Sequence, residues 1–121
     1  MIGAVTLESA DSDSARIVTL FGEHDLATLP KLEQTLSAAL AEGLPLIVDL
    51  SDVTFIDGAT ASLISRYRLE AETRAVPLVL AIGEVPPRAV ELVLEAAGCL
   101  AAEWVTKSRE QAMLQIQGQR S

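Results

Sequence analysis

The sequence contains a single cysteine, Cys99, and a single histidine, His24. One thiol excludes an internal disulfide and agrees with a reducing compartment. His24 lies between Glu23 and Asp25, but with no second histidine and no usable cysteine beside it the grouping is a poor metal site, and no metal or other cofactor is expected. Aromatic residues make up 3% of the chain, so a core must be assembled from Leu, Val, Ile and Ala. Basic residues are scarce as well: nine Lys and Arg against seventeen Asp and Glu leave a formal net charge of −8. That balance argues against direct nucleic-acid binding, which is dominated by phosphate neutralisation, and favours a basic groove on a partner protein. No run approaches the roughly 18 apolar residues of a membrane-spanning helix. The opening M-I-G-A-V-T-L-E-S lacks the basic and apolar blocks of a leader. The expectation is a soluble, cytoplasmic protein with no direct membrane insertion. Phosphate-binding G-x-x-x-x-G-K-[ST], dinucleotide G-x-G-x-x-G and nucleophile-elbow G-x-S-x-G motifs are absent.

What is present is apolar and periodic. Half the residues are hydrophobic, and a chain of 121 residues can close one core without metal or disulfide support. The expectation is a single domain over 1–121, with its core from about residue 4 to about residue 116. Ala4 to Glu8 and Ala15 to Phe21 read as two strands joined across the turn A-D-S-D-S, hence a hairpin. Gly22-Glu23-His24-Asp25-Leu26 breaks that pattern. Leu29, Leu32, Leu36, Ala39 and Leu40 then recur at helical spacing, with Thr28 as cap and Gly43 as stop. Val76 to Ile82 reads as a buried strand. A helix carrying Val90, Val93, Leu94 and Ala97 ends at Gly98, and Glu103 to Thr106 reads as a short edge strand. Ser108-Arg109-Glu110-Gln111 has the form of a capping box opening a last helix with Ala112, Met113 and Ile116, and Gly118 to Ser121 reads as a frayed tail.

The organising stretch is Pro45 to Tyr67. Leu46, Ile47, Val48 and Leu50 suit a strand covered on both faces, and the period then turns helical at Leu63, Ile64, Tyr67 and Ala71. A short loop separates strand from helix. Asp57 stands where an N-cap belongs, able to accept from the backbone N–H of Ala59 or Thr60. The first helical turn after it favours added negative charge. Helical crossovers between the later strands and a hairpin at the start make an α/β fold with a mixed sheet of four to five strands and about four helices.

Two segments in this order, L-F-G-E-H-D-L-A-T and L-I-V-D-L-S-D-V-T-F-I-D, followed by V-P-L-V-L-A-I, resemble the STAS domain of bacterial anti-sigma factor antagonists, from about Val5 to Met113. The resemblance implies the STAS fold and a non-catalytic role in transcription regulation and signal transduction. The implied partner is an anti-sigma factor with a histidine-kinase-like ATPase fold, whose capture releases a sigma factor. It also implies a partner-binding surface formed by Asp57, Gly58, Ala59, Thr60 and Ala61 together with Glu23, His24 and Asp25. Family members commonly continue the second segment as D-S-S-G-L or D-S-T-G-L and are phosphorylated on the first hydroxyl after the Asp. Here the continuation is D-G-A-T-A, so Gly58 occupies the phosphosite position without a side-chain oxygen; Thr60 and Ser62 are the substitute hydroxyls nearby.

Other readings of the same residues stay open. Asp57 serves as a plain helix cap in any case, and Gly58 can be there only to allow a sharp turn. The module can belong instead to a sensor complex or to a lipid or anion transport system, or be a nucleotide-binding regulatory module, and a homodimer is open. Asp49, Asp52 and Asp57 stand near a strand end, where α/β enzymes place their sites, but acid chemistry needs a polar pocket and a second catalytic group. Cys99 reads as a packed thiol, Trp104 as a core margin, and Arg66, Arg68 and Arg74 among Glu70 and Glu72 as a solvated helix face.

Overall fold

A computed structural model describes residues 2–10 and 14–119. The elements are β1 (Ala4–Ser9), β2 (Arg16–His24), α1 (Leu29–Ala41), β3 (Leu46–Ile56), α2 (Gly58–Thr73), β4 (Leu78–Ala81), α3 (Arg88–Ala96), a 3-10 turn (Ala102–Trp104), β5 (Val105–Thr106) and α4 (Arg109–Gln119). The strands form one mixed sheet in the order β1-β2-β3-β4-β5. β1 runs antiparallel to β2, and every later neighbour is parallel. The strand order never reverses, so right-handed crossovers carry α1, α2 and α3 to one face. There Leu32, Leu36, Ile64, Val90 and Leu94 pack on Val18, Leu20, Val48 and Leu80. α4 crosses to the other face, where Ala112 and Ile116 meet Ile17, Ile47 and Val79.

β2 and β3 are both longer than the sequence pattern suggests. β2 continues past Gly22 to His24, and Ser51–Ile56, read above as a loop, is strand. The register explains why. Thr19 and Phe21 face Asp49 and Asp52, while Gly22 and Glu23 face Val53 and Phe55, so β3 holds one extra residue at each of two bulges. Each bulge shifts the alternation by one. Inward side chains therefore fall at Leu46, Val48 and Leu50, then at Val53 and Ile56. Gly22 meets the distortion with φ +76°, a conformation that glycine adopts without a Cβ penalty.

The mixed sheet, its opening hairpin and the four helices are as the sequence predicts. Several boundaries differ. The strand expected over Val76 to Ile82 is confined to Leu78–Ala81, and only Val105–Thr106 of the expected edge strand is extended, because the 3-10 turn before it tucks Trp104 into the core. α4 continues through Gly118 to Gln119. The rest of the expected tail, and residues 11–13 of the hairpin turn, lie outside the described residues. The Ser108 cap forms: its hydroxyl accepts from the Gln111 N–H at 3.1 Å. Gln111 reaches back to the Lys107 N–H at 3.1 Å rather than to that of Ser108.

α4 is fastened to the sheet by charge as well as by packing. Arg109 donates Nε and Nη2 to Oδ2 of the buried Asp49 at 2.9 and 2.8 Å, Nη1 to Glu8 at 3.1 Å and Nη2 to the Thr19 hydroxyl at 3.1 Å. One guanidinium thus ties α4 to β1, β2 and β3.

Candidate functional site

Parallel strands deliver their carboxyl ends to the same rim of a sheet, and here that juxtaposes the two sequence segments singled out above. His24 pairs with Ile56, and the Asp57 N–H donates to the His24 carbonyl at 3.0 Å. The loop after β2 and the first turn of α2 therefore leave the sheet side by side.

Asp57 is the N-cap of α2: its Oδ1 accepts from the Thr60 N–H at 2.8 Å. Gly58 and Ala59 are exposed, and so is Ser62 one turn on, whereas Thr60 and Ala61 are fully buried. Thr60 and Ala61 thus brace the surface from beneath and present no side chain to a partner. The Thr60 hydroxyl, buried and with no hydrogen-bond partner among the described residues, is out of a kinase's reach in the folded chain. Of the two substitute hydroxyls, Ser62 alone is open.

Gly58 has no steric reason to be glycine. Its φ lies outside the left-handed region and a Cβ built on it meets nothing within 4 Å. The sharp-turn reading therefore fails, and a serine would fit at this position.

His24 is fully buried and cannot act as a contact. Its Nε2–H donates to the Phe21 carbonyl at 2.9 Å and its Nδ1 accepts from the Thr28 hydroxyl at 3.0 Å. The ring clasps the loop, and burial holds its pKa below the ordinary value of 6.5 despite opposing hydrogen bonds. Thr28 sits at the α1 N-cap position but makes no side-chain cap bond. Glu23 and Asp25 are exposed, and Asp25 Oδ1 accepts from the Ala27 N–H at 2.8 Å, which fixes the turn.

Two shallow grooves flank the exposed start of α2. One runs against α1, lined by Leu29, Pro30, Ala59, Ser62 and Leu63, with the Glu33–Arg66 ion pair along its side. The other runs against α3, lined by Gly58, Ser62, Leu92, Val93, Ala96 and Ala97. Gly58 and Ser62 form the ridge between them. The same rim carries large apolar side chains that reasoning from sequence missed: Leu26 at 69% exposure in the loop after β2, Phe55 at 45% near the end of β3, and Val85 at 90% in the loop after β4. An apolar residue inside an otherwise polar loop was the available signal for Leu26 and Val85.

The described arginines are paired, including Arg66 in the first groove and Arg88 at the start of α3. Arg16, Arg66, Arg68, Arg74, Arg88 and Arg109 each hold an ion pair along the helices and the sheet face. At the rim, Asp25, Asp52 and Glu84 form no ion pair with any described residue, and Glu23 and Asp57 stand beside them. Lys31 at the start of α1 and Lys107 after β5 are the lysines of this end. The three aspartates near the end of β3 do not converge into an acid site. Asp49 points to α4 and is held by Arg109, while Asp57 caps α2. Among the described residues no three His, Cys, Asp or Glu side chains gather as metal ligands, and no helix is long and apolar enough to cross a membrane. Cys99 is buried, its thiol pushed up to about 11 by desolvation, and donates to the Ala61 carbonyl at 3.3 Å.

Known proteins share this architecture. The family model described as "Mlab, STAS domain" matches residues 7–101. The unphosphorylated form of the anti-sigma factor antagonist SpoIIAA superposes with a TM-score of 0.76 at 22% identity, over 95% of this chain and 97% of that one. An anti-sigma factor antagonist from Mycobacterium paratuberculosis gives 0.72 at 21% identity, over 93% and 92%. SLC26A9 gives 0.70 at 15% identity, over 97% of this chain but 24% of that one. At these identities the shared property is the fold. No curated protein sequence matches the chain.

Proposed function

The chain belongs to the STAS family, and from that premise we propose that it is a non-catalytic docking module whose rim around the start of α2 binds a kinase-type anti-sigma factor and so frees a sigma factor. The observation that carries the reading is the open Gly58–Ser62 ridge between two grooves with largely apolar walls, at a rim where Asp25, Asp52 and Glu84 hold no ion pair with any described residue. Buried apolar contact supplies affinity, and the acidic margin steers a basic surface into place. Contacts come from Glu23, Asp25, Gly58 and Ala59, with Asp57, His24, Thr60 and Ala61 holding their backbone in position. The module works in the cytoplasm. In family members a phosphate at the position of Gly58 adds about −1.5 to −2 charges and bulk, and the cost of burying that charge against an apolar contact disrupts docking. Gly58 has no atom to carry it, so binding here is not switched at that position.

The test is calorimetric titration of the protein with the kinase-type anti-sigma factor of the same genome, followed by mass measurement after incubation with ATP. Binding, an unchanged mass for the natural chain, and a gain of one phosphate by Gly58→Ser are expected. Gly58→Arg, which sets bulk and positive charge on the ridge, should weaken binding at least about tenfold, roughly 1.4 kcal/mol. Stoichiometric phosphate on Ser62 of the natural chain would overturn the unswitched reading, and equal affinity for Gly58→Arg would move the interface elsewhere.

A second reading has its own support: the matching family model and the fold shared with SLC26A9 favour a STAS subunit of a lipid or anion transport system or of a sensor complex. Recovery of only transport or membrane-complex subunits on the immobilised protein would favour it.

A further inference from the structure

The two edges of the sheet are treated differently. β5 ends one side with two residues behind the 3-10 turn, whereas β1 ends the other with six residues, A-V-T-L-E-S, in unbroken register with β2. β1 carries few of the devices that blunt an edge: no bulge, no proline, no lysine or arginine, and a single charge, Glu8. Its outer N–H and C=O groups form a ready template for another strand, and Leu7, at 41% exposure, stands on it.

We infer that β1 pairs antiparallel with β1 of a second copy, joining two sheets into one of ten strands. The strand's own chemistry selects a second copy. In a two-fold antiparallel pair, opposite residues must face the same side of the sheet. The longest such registers are centred on Thr6, with Ala4 opposite Glu8 and Val5 opposite Leu7, or on Leu7, with Val5 opposite Ser9 and Thr6 opposite Glu8. In both, β-branched or apolar residues meet across the seam, and the strand's one charged residue faces an uncharged one. Glu8 is also already tied to Arg109 at 3.1 Å, so the seam brings no like charges together. The inference is independent of the docking function, because the seam lies at the sheet edge and the proposed docking rim at the strand ends.

Sedimentation velocity over roughly 5 to 500 µM should show a monomer–dimer equilibrium, since dimer population follows protomer concentration. With −8 on each protomer, added salt should strengthen the dimer by screening repulsion; docking to a basic partner should instead weaken with salt, which separates the two interfaces. Leu7→Lys should raise the dissociation constant at least about tenfold without altering the melting temperature of dilute protein. Because Cys99 is buried, single cysteines report the register. Thr6→Cys should oxidise to a covalent dimer if the seam is centred on Thr6, Leu7→Cys if it is centred on Leu7, with the exposed Leu114→Cys as control. A monomer at every concentration, or a dimer untouched by Leu7→Lys and cross-linked no faster through residues 6 and 7 than through 114, overturns the inference.

Discussion

The two halves of β3 make opposite use of one strand. In Leu46–Leu50 every side chain is buried, alternating between the helix-covered face and α4. In Ser51–Ile56 only Val53 and Ile56 point inward, and the rest stand in solvent. The two bulges mark the change, and they are what turns a structural strand into the support of a surface. The lower half converts apolar area into stability; the upper half holds Asp57 and the first turn of α2 at the rim with few core contacts of its own. The strand's eleven residues thus divide into a buried half and a half that supports the rim proposed for docking.

Leu50→Ala at the end of the lower half should cost the most, about 3 kcal/mol for a fully enclosed leucine, read by urea unfolding, with partner affinity unchanged once the protein is kept folded. Next, Arg109→Ala leaves the Asp49 carboxylate buried without its counter-ion, and should cost about 2 kcal/mol, less than a fully enclosed pair because Arg109 is one-third exposed. A loss under about 0.5 kcal/mol would mean that apolar packing alone seats α4. Asp57→Ala, at the N-cap that the upper half holds at the rim, removes one N-cap bond and should cost about 1 kcal/mol, yet it should lower partner affinity as well, because the ridge frays. An affinity equal to that of the natural chain would break the assignment of this half to docking. His24→Gln sharpens the same division by pH. Unfolded His24 titrates at its ordinary value of 6.5, and burial lowers that value in the fold. Stability is therefore full above 6.5 and declines as pH falls toward the lower folded value, where the unfolded chain takes up a proton first. Thermal melts near about pH 7.5 and about pH 5.5 should show this decline in the natural chain and a smaller one in the variant.

The lower half was legible in the sequence because a run of Leu, Ile and Val has no reading but burial. The upper half looked like a loop because neither a two-residue nor a helical period describes it. The three-residue spacings Leu50 to Val53 and Val53 to Ile56 were the trace of the bulges, visible only once a bulge is considered. Asp57 as N-cap could be read because a cap is local. The Asp49–Arg109 bond could not, since its partners lie 60 residues apart and no local pattern links them. His24 was placed on the partner surface by the resemblance alone, but it is the last residue of β2, where strand alternation sends the Glu23 and Asp25 side chains to water and the imidazole inward. Thr60 and Ala61 illustrate the same limit: a helix's first turn shows only one side, and which side depends on the neighbours across it.

The open space around Gly58 has a consequence for control. A protein held off by a covalent mark can be stored in quantity and released at a signal; one whose mark has no place to attach acts as soon as it is made. A docking module of this kind would be governed through its synthesis and turnover, so that its effect scales with the number of molecules in the cell. Because a Cβ at Gly58 meets nothing within 4 Å, a single serine codon would, in the proposed docking role, return a place for the mark without rebuilding the backbone.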